Sequence, residues 1–242
     1  MSGHSKWSTI KRKKGAADAA RGRMFTRLIR EITIAARGGG DPDANPRLRT
    51  AVQAAKAANM PKDNIDRAIK KGTGELGGDA IEEVAYEGYG PGGVAVLAET
   101  VTDNRNRTAA EVRHVFTKHG GNLGTVGAVA WIFESKGVIQ VDRARVAEEA
   151  LLEAALEAGA EDMQTDDEDM FKVITPPGDL HTVLGGLESA GIPVGEAGLD
   201  RFPSTTKTLT EDEAAKFFKF FDALEELDDV QKLFANFEVP DA

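Results

Sequence analysis

Cysteine is absent from the 242 residues, which excludes disulfides and thiolate chemistry and suits a reducing compartment. No apolar run approaches the roughly 18 residues that a membrane span needs. The basic N-terminus lacks an apolar stretch behind it, so no secretory signal is expected and the expected location is cytoplasmic, with no membrane partner. Also missing are the phosphate-loop pattern G-x-x-x-x-G-K-[ST] and the nucleophile elbow G-x-S-x-G. "GTGELG" at 72–77 satisfies G-x-G-x-x-G, but it follows a helical pattern and precedes a strand pattern, the reverse of a dinucleotide site. His4, His114, His119 and His181 include no i, i+4 pair, and "DDEDM" at 166–170 lacks the glycine and spacing of a calcium loop. No nucleophile, base and acid can be grouped. The expectation is therefore no enzyme, no metal and no cofactor.

The composition itself is ordinary, with 41% hydrophobic and 29% charged residues, enough to build one to three soluble domains. The charge is not evenly placed. Residues 1–75 hold 17 Lys and Arg against 7 Asp and Glu, a net of +10, so the remaining 13 basic and 33 acidic residues carry −20, and the sum is the formal −10 of the whole chain. Asymmetry of this kind points to a polyanion as partner for the basic end, although a solvated basic face or pairing with the acidic body would give the same count.

The basic end reads as two pieces. Residues 1–20 have little hydrophobic periodicity and form a basic arm with His4, Lys6, Trp7, Lys11, Arg12, Lys13 and Lys14. A helix is predicted from about Ala17 to Arg37, ended by Gly38-Gly39-Gly40. Phe25, Leu28, Ile29, Ile32 and Ala36 share one face, and Arg23, Arg27, Arg30 and Arg37, after Arg21, form a stripe on the other, directed away from the core. Lys and Arg neutralise phosphates largely through counterion release, which needs many charges rather than fixed spacing. Trp7 could stack on an unpaired base or pack on the helices. Asn45-Pro46 opens a second helix, and Pro61 a third that Gly72 stops.

Beyond Ile81 the pattern becomes α+β. Strands are expected at "EEVAYEGYG", "GGVAVLAETV" and "GAVAWIFES", with a helix at 105–118. From Gly137 the order is β-α-β-β-α-β, a ferredoxin-like unit. A strand near 203–209, a helix at 211–227 and the strand "VQKLFANFE" are too little to fold alone and should complete the sheet begun at Ile81. The expected architecture is an N-terminal three-helix domain and two α/β sandwich domains, the third inserted in the second. Boundaries are placed at 1–78, at 79–134 with 203–242, and at 135–202. Arg105, Arg107 and Arg113 bring positive charge into the acidic part, as a capped helix start with surface arginines or as a second phosphate contact at a helix N-terminus. "GYGPGG" (Gly88, Tyr89, Gly90, Pro91, Gly92, Gly93) reads as a tight turn that could also let a ligand approach closely.

"GHSKWSTIKRKKGAADAARGRMFTRLIREI", "NPRLRTAVQAAKAANMPKDNIDRAIKKGTG", "YEGYGPGGVAV", "TDNRNRTAAEVRHVFTKHGGNLG" and "VAWIFESKG" together resemble the YebC-like family, whose mitochondrial relative is the translational activator of cytochrome c oxidase. The resemblance spans the chain and is densest over 3–137. It implies three domains, the third inserted in the second, and a role in gene expression without side-chain catalysis. Members have been described as DNA-binding transcriptional regulators and also as ribosome-associated factors that help synthesis through difficult stretches such as proline runs. The expectation is a translation factor that binds ribosomal RNA, with tRNA contact possible near "GYGPGG" and Arg105/Arg107. The alternatives are a DNA-binding transcriptional regulator and, more remotely, an enzyme or scaffold using an interdomain cleft. A monomer is favoured.

Overall fold

The structure is a computed structural model that describes residues 17–77 and 81–239, with side chains from residue 22 onward. Three helices come first: α1 (Ala17–Ala35), α2 (Pro46–Ala57) and α3 (Lys62–Gly72). A 3-10 turn at Ala36–Gly38 and Gly39 at φ +134° end the first helical run, where a residue with a Cβ would be strained. Asn45 serves both neighbours. Its side-chain oxygen accepts from the Leu48 amide at the start of α2, and its Nδ2 donates to the Ala35 and Gly39 carbonyls at the end of α1. The bundle core joins Ile32, Ala35 and Ala36 to Leu48, Ala51, Val52 and Ala55, and to Met60, Ile65 and Ala68. Phe25, Leu28 and Ile29 pack on it as partly buried side chains, so the apolar stripe predicted for α1 is the packed one. Gly72 is a point of close approach: a Cβ there would stand 2.3 Å from the Thr33 carbonyl oxygen.

The first sheet follows. β1 (Glu82–Tyr89) and β2 (Ala95–Thr102) form an antiparallel hairpin in unbroken register from Glu82↔Thr102 to Tyr89↔Ala95. The helix α4 (Arg105–Lys118) and the short β3 (Asn122–Leu123) come next, and β3 pairs with the end of β1. The chain then builds a second sheet from β4 (Phe133–Asp142), α5 (Glu148–Ala158), β5 (Asp162–Gln164), β6 (Met170–Thr175), α6 (Leu180–Ser189) and β7 (Val194–Pro203). Its order β5-β6-β4-β7, antiparallel throughout, is that of a ferredoxin-like unit. Its core includes Ile139, Val141, Leu151, Phe171, Val173, Val183 and Leu187.

Finally come β8 (Lys207–Thr208), α7 (Glu211–Glu225), β9 (Val230–Ala235) and β10 (Phe237–Glu238). β9 lies beside β2 and gives the first sheet the order β3-β1-β2-β9, so the chain leaves that sheet, builds the ferredoxin-like unit and returns. The α+β class, with a helical N-terminal part, two sheets and the third unit inserted in the second, is therefore the observed one. The described residues divide into two compact units, 17–130 with 209–235, and 131–208 with 236–239. β8 and β10 are an exception to the expected completion of the first sheet, because they pair with each other in parallel.

The strand expected at "GAVAWIFES" needs correction. Residues 124–129 are loop, Ala130–Ile132 is a 3-10 turn, and the strand begins only at Phe133, in the second sheet. The cause is Glu87. Its buried carboxylate accepts from the amides of Gly127 at 2.7 Å, Val129 at 2.8 Å and Ala130 at 2.7 Å, so these donors are engaged before any sheet ladder can use them. Among the described residues no helix is long and apolar enough to cross a membrane.

Candidate nucleic-acid interface

His4, Lys6, Trp7, Lys11, Arg12, Lys13 and Lys14 lie outside the described residues, as does the side chain of Arg21. The side chains of the candidate residues are described from Arg23 onward. Arg23 is half-exposed near the start of α1. The three arginines after it have internal partners, so the stripe does not point into solvent as its position opposite the apolar face predicts. Arg27 donates to the Glu225 carbonyl at 2.5 Å and pairs with its carboxylate at 3.6 Å. Arg30 donates to the Val101 carbonyl and to Asp229. Arg37 donates to the Ile81 carbonyl at 2.6 Å. A small apolar cluster of Ile34, Ile81 and Val101 lies along the same side. Helix α1 is thus packed on two sides, by apolar contact with the bundle and by guanidinium contacts with the first sheet and α7.

Asp229 is the centre of this arrangement. It is 1% exposed and stands just before β9. Arg107 donates to both of its carboxylate oxygens, at 3.1 and 2.9 Å, Arg30 to one, and the hydroxyls of Thr102 and Thr108 complete the shell. Burial by itself would raise the Asp229 pKa; the bonds from Arg107, Thr108 and Arg30 reverse that and hold it below the ordinary value. Arg107 also contacts Asp103 at 3.1 Å, and its own pKa is raised, chiefly by the bond to Asp229. A cleft of about 440 Å³ opens beside it, lined by Arg30, Arg107, Leu227 and the acids Asp103, Glu111, Glu226, Asp228 and Asp229. With five carboxylates against two guanidiniums already paired, this cleft repels phosphate.

Arg105, the other arginine predicted there, is exposed and differs in kind from Arg107. Its carbonyl accepts from the Tyr86 hydroxyl at 3.3 Å, and its guanidinium has no ion pair among the described residues. The "GYGPGG" segment is a packed turn. Gly88 and Gly90 are buried, and a Cβ on Gly88 would stand 2.5 Å from the Asn122 carbonyl oxygen, one on Gly90 2.7 Å from the Phe220 ring. Pro91 is buried, and Gly92 and Gly93 take φ of +76° and +74° to close the turn. Tyr89 is half-exposed, with its hydroxyl 3.5 Å from the Ala128 carbonyl. The close approach these glycines permit is to the protein's own backbone and rings.

The two carboxylates that organise the region, Glu87 and Asp229, carry no sequence signal of their own. Asp229 follows Asp228 in an acidic run, where it cannot be told from a solvated acid. Asn104 and Thr108 are better marked, since Asn104 caps α4 by accepting from the Arg107 amide at 3.1 Å.

Two family models match the chain: residues 5–75 fit the TACO1/YebC protein N-terminal domain, and residues 81–237 fit the TACO1/YebC second and third domain. A probable transcriptional regulatory protein of Desulforapulum autotrophicum is 58% identical over 100% of this chain and 98% of its own length. One from Treponema denticola is 60% identical, also over 100% of this chain and 98% of the relative. Among solved structures, a conserved hypothetical protein from Aquifex aeolicus superposes with a TM-score of 0.85 at 55% identity, covering 93% of each chain.

Proposed function

The chain belongs to the TACO1/YebC family, and from that premise we propose that it regulates gene expression by binding RNA, as a ribosome-associated translation factor that assists synthesis of difficult, proline-rich stretches. The observation that carries this reading is the separation of charge, +10 over residues 1–75 against −20 over the rest. The basic arm and Arg23 contact phosphate, with Trp7 and His4 available to unpaired bases. Arg27, Arg30, Arg37 and Arg107 act indirectly, by fixing the helix that carries the arm. The acidic remainder limits non-specific coating of RNA and orients the molecule. The protein works in the cytoplasm and needs no cofactor.

The test is co-sedimentation with ribosomes at several salt concentrations, followed by crosslink mapping to ribosomal RNA. Replacing Lys11, Arg12, Lys13 and Lys14 by Ala should weaken binding and reduce the slope of log affinity against log salt by up to about 3, at ~0.7 per phosphate on a single strand. Wild-type protein that stays free of ribosomes at low salt yet binds one promoter tightly would sink the translation reading. That outcome belongs to a second reading, a DNA-binding transcriptional regulator; the relatives' names, probable transcriptional regulatory proteins, favour a transcriptional role.

A further inference from the structure

Helix α4 carries positive charge where the surrounding sequence does not. Residues 76–242 hold 33 acids against 13 bases, yet α4 contains Arg105, Arg107, Arg113 and Lys118 with Glu111 as its one acid. Arg107 is held by Asp229, and Glu111 lies 4.0 Å from that same Arg107. Arg105 and Arg113 are exposed and make no ion pair or side-chain hydrogen bond with any described residue. At 100° per residue they fall 80° apart on one flank of the helix, eight residues or ~12 Å along its axis. Tyr86 of β1 stands on that flank, its hydroxyl donating to the Arg105 carbonyl at 3.3 Å. Burial raises the Tyr86 pKa, with Arg105 and Arg113 opposing the rise and Glu82 and Asp229 adding to it. β1 is bordered by β3 only at Gly88 and Tyr89, which leaves its Tyr86 stretch at the rim of the sheet.

Two unpaired guanidiniums beside a partly exposed ring is the chemistry of single-stranded RNA recognition: phosphates on the arginines, one base against the aromatic face. The helix holds these charges at fixed spacing. We propose that Arg105, Arg113 and Tyr86 form a second RNA site, separate from the N-terminal arm, that takes a single-stranded segment through its phosphates and one stacked base. The proposal rests on the reading that the chain binds RNA. It fixes a place on the first sheet where the strand is gripped, and it excludes Arg107, whose side chain is committed to Asp229.

The test uses the full chain and a fluorescein-labelled single-stranded oligouridylate, with anisotropy titrations over a range of salt. Arg105→Ala with Arg113→Ala removes only exposed side chains, and a melting curve checks that the fold is kept. The expected result is roughly a tenfold loss of affinity and a salt slope smaller by about 1.4, two phosphates at ~0.7 each. Tyr86→Phe keeps the ring and should bind as wild type, whereas 4-thiouridine in the strand should crosslink to Tyr86. A double variant with wild-type affinity and slope, beside an arm variant that loses binding, overturns this site and leaves RNA binding intact. Wild-type protein that binds no RNA overturns the broader reading and this one together. A double variant that loses polyglutamate but keeps RNA assigns the face to an acidic protein segment, and also overturns it.

Discussion

Asp229 and Glu87 show how far one buried carboxylate can determine what its surroundings do. Asp229 accepts from two guanidiniums and two hydroxyls at 1% exposure, so Asp229→Asn puts an amide donor against groups that also donate. Breaking a buried charged pair costs about 3–5 kcal/mol. Arg107 is 42% exposed and can rehydrate, which places the expected loss near ~3 kcal/mol, read as a lower urea midpoint. The pH dependence has a definite sign. The ordinary value is 3.8 and the folded value is lower, so the unfolded chain takes up the proton first as acid is added. The stabilisation is complete above the ordinary value and drains as pH falls through it toward the folded value. The advantage of wild type over Asp229→Asn should therefore be constant above the ordinary value of 3.8 and shrink as pH falls below it, and parallel curves would show that the carboxylate is not the group responsible. Glu87→Gln tests the other site. Its three amide bonds hold residues 127–130, and leaving buried donors poorly paired costs about 1–3 kcal/mol. Hydrogen exchange at Gly127, Val129 and Ala130 should rise by roughly 10–100-fold, with amides of the β4–β6 ladder unchanged.

Helix α1 was legible in outline and not in its surroundings. Its 3.6-residue period places Phe25, Leu28, Ile29 and Ile32 on the bundle side, and the structure packs them there. The opposite arginines reach partners such as Asp229, 199 positions away, which no local pattern announces. The run "GAVAWIF" failed for the same reason: its apolar residues suit a strand, but a carboxylate 40 to 43 positions earlier holds its amides. Elements whose partners lie close by, such as the β1–β2 hairpin or α3 with its terminal Gly72, were readable from turn and stop signals. Gly72 also sets two effects against each other. Glycine in a helix costs up to about 1 kcal/mol relative to alanine, so Gly72→Ala would stabilise an isolated helix. Here the new Cβ would meet the Thr33 oxygen at 2.3 Å and the Ala36 Cβ at 2.6 Å, forcing α3 away from α1 at a cost of about 1–3 kcal/mol. The crowding should win, and a urea midpoint below wild type is the expected outcome. A midpoint above wild type would mean that the two helices separate with little resistance.

Over the whole molecule, the order of elements was enough to place the ferredoxin-like unit inside the first sheet, because a strand–helix–strand remnant has too little core to stand alone. The charge separation adds a property that neither fold nor single site supplies. A basic module of +10 joined in sequence to a remainder of −20 attracts a polyanion through the one and repels it through the other. Helix α5 offers a way to test this at a distance from the basic module in the sequence. Glu149, Glu153 and Glu157 repeat every four residues on it, all exposed and without ion pairs to described residues. Replacing the three by Gln removes three negative charges and relieves like-charge neighbours worth a few tenths of a kcal/mol each, so the helix should become slightly more stable. If the acidic remainder screens against indiscriminate association, the variant should associate with oligouridylate a few-fold faster at low salt while its dissociation rate stays as in wild type. Such a long-range effect should fade as the Debye length shrinks from ~10 Å at 0.1 M salt to ~3 Å at 1 M. Stopped-flow association across that range separates the possibilities. A rate that rises at low salt and converges with wild type at high salt supports repulsion by the whole body, and an unchanged rate at every salt would show that the acids of α5 play no part in guiding the encounter.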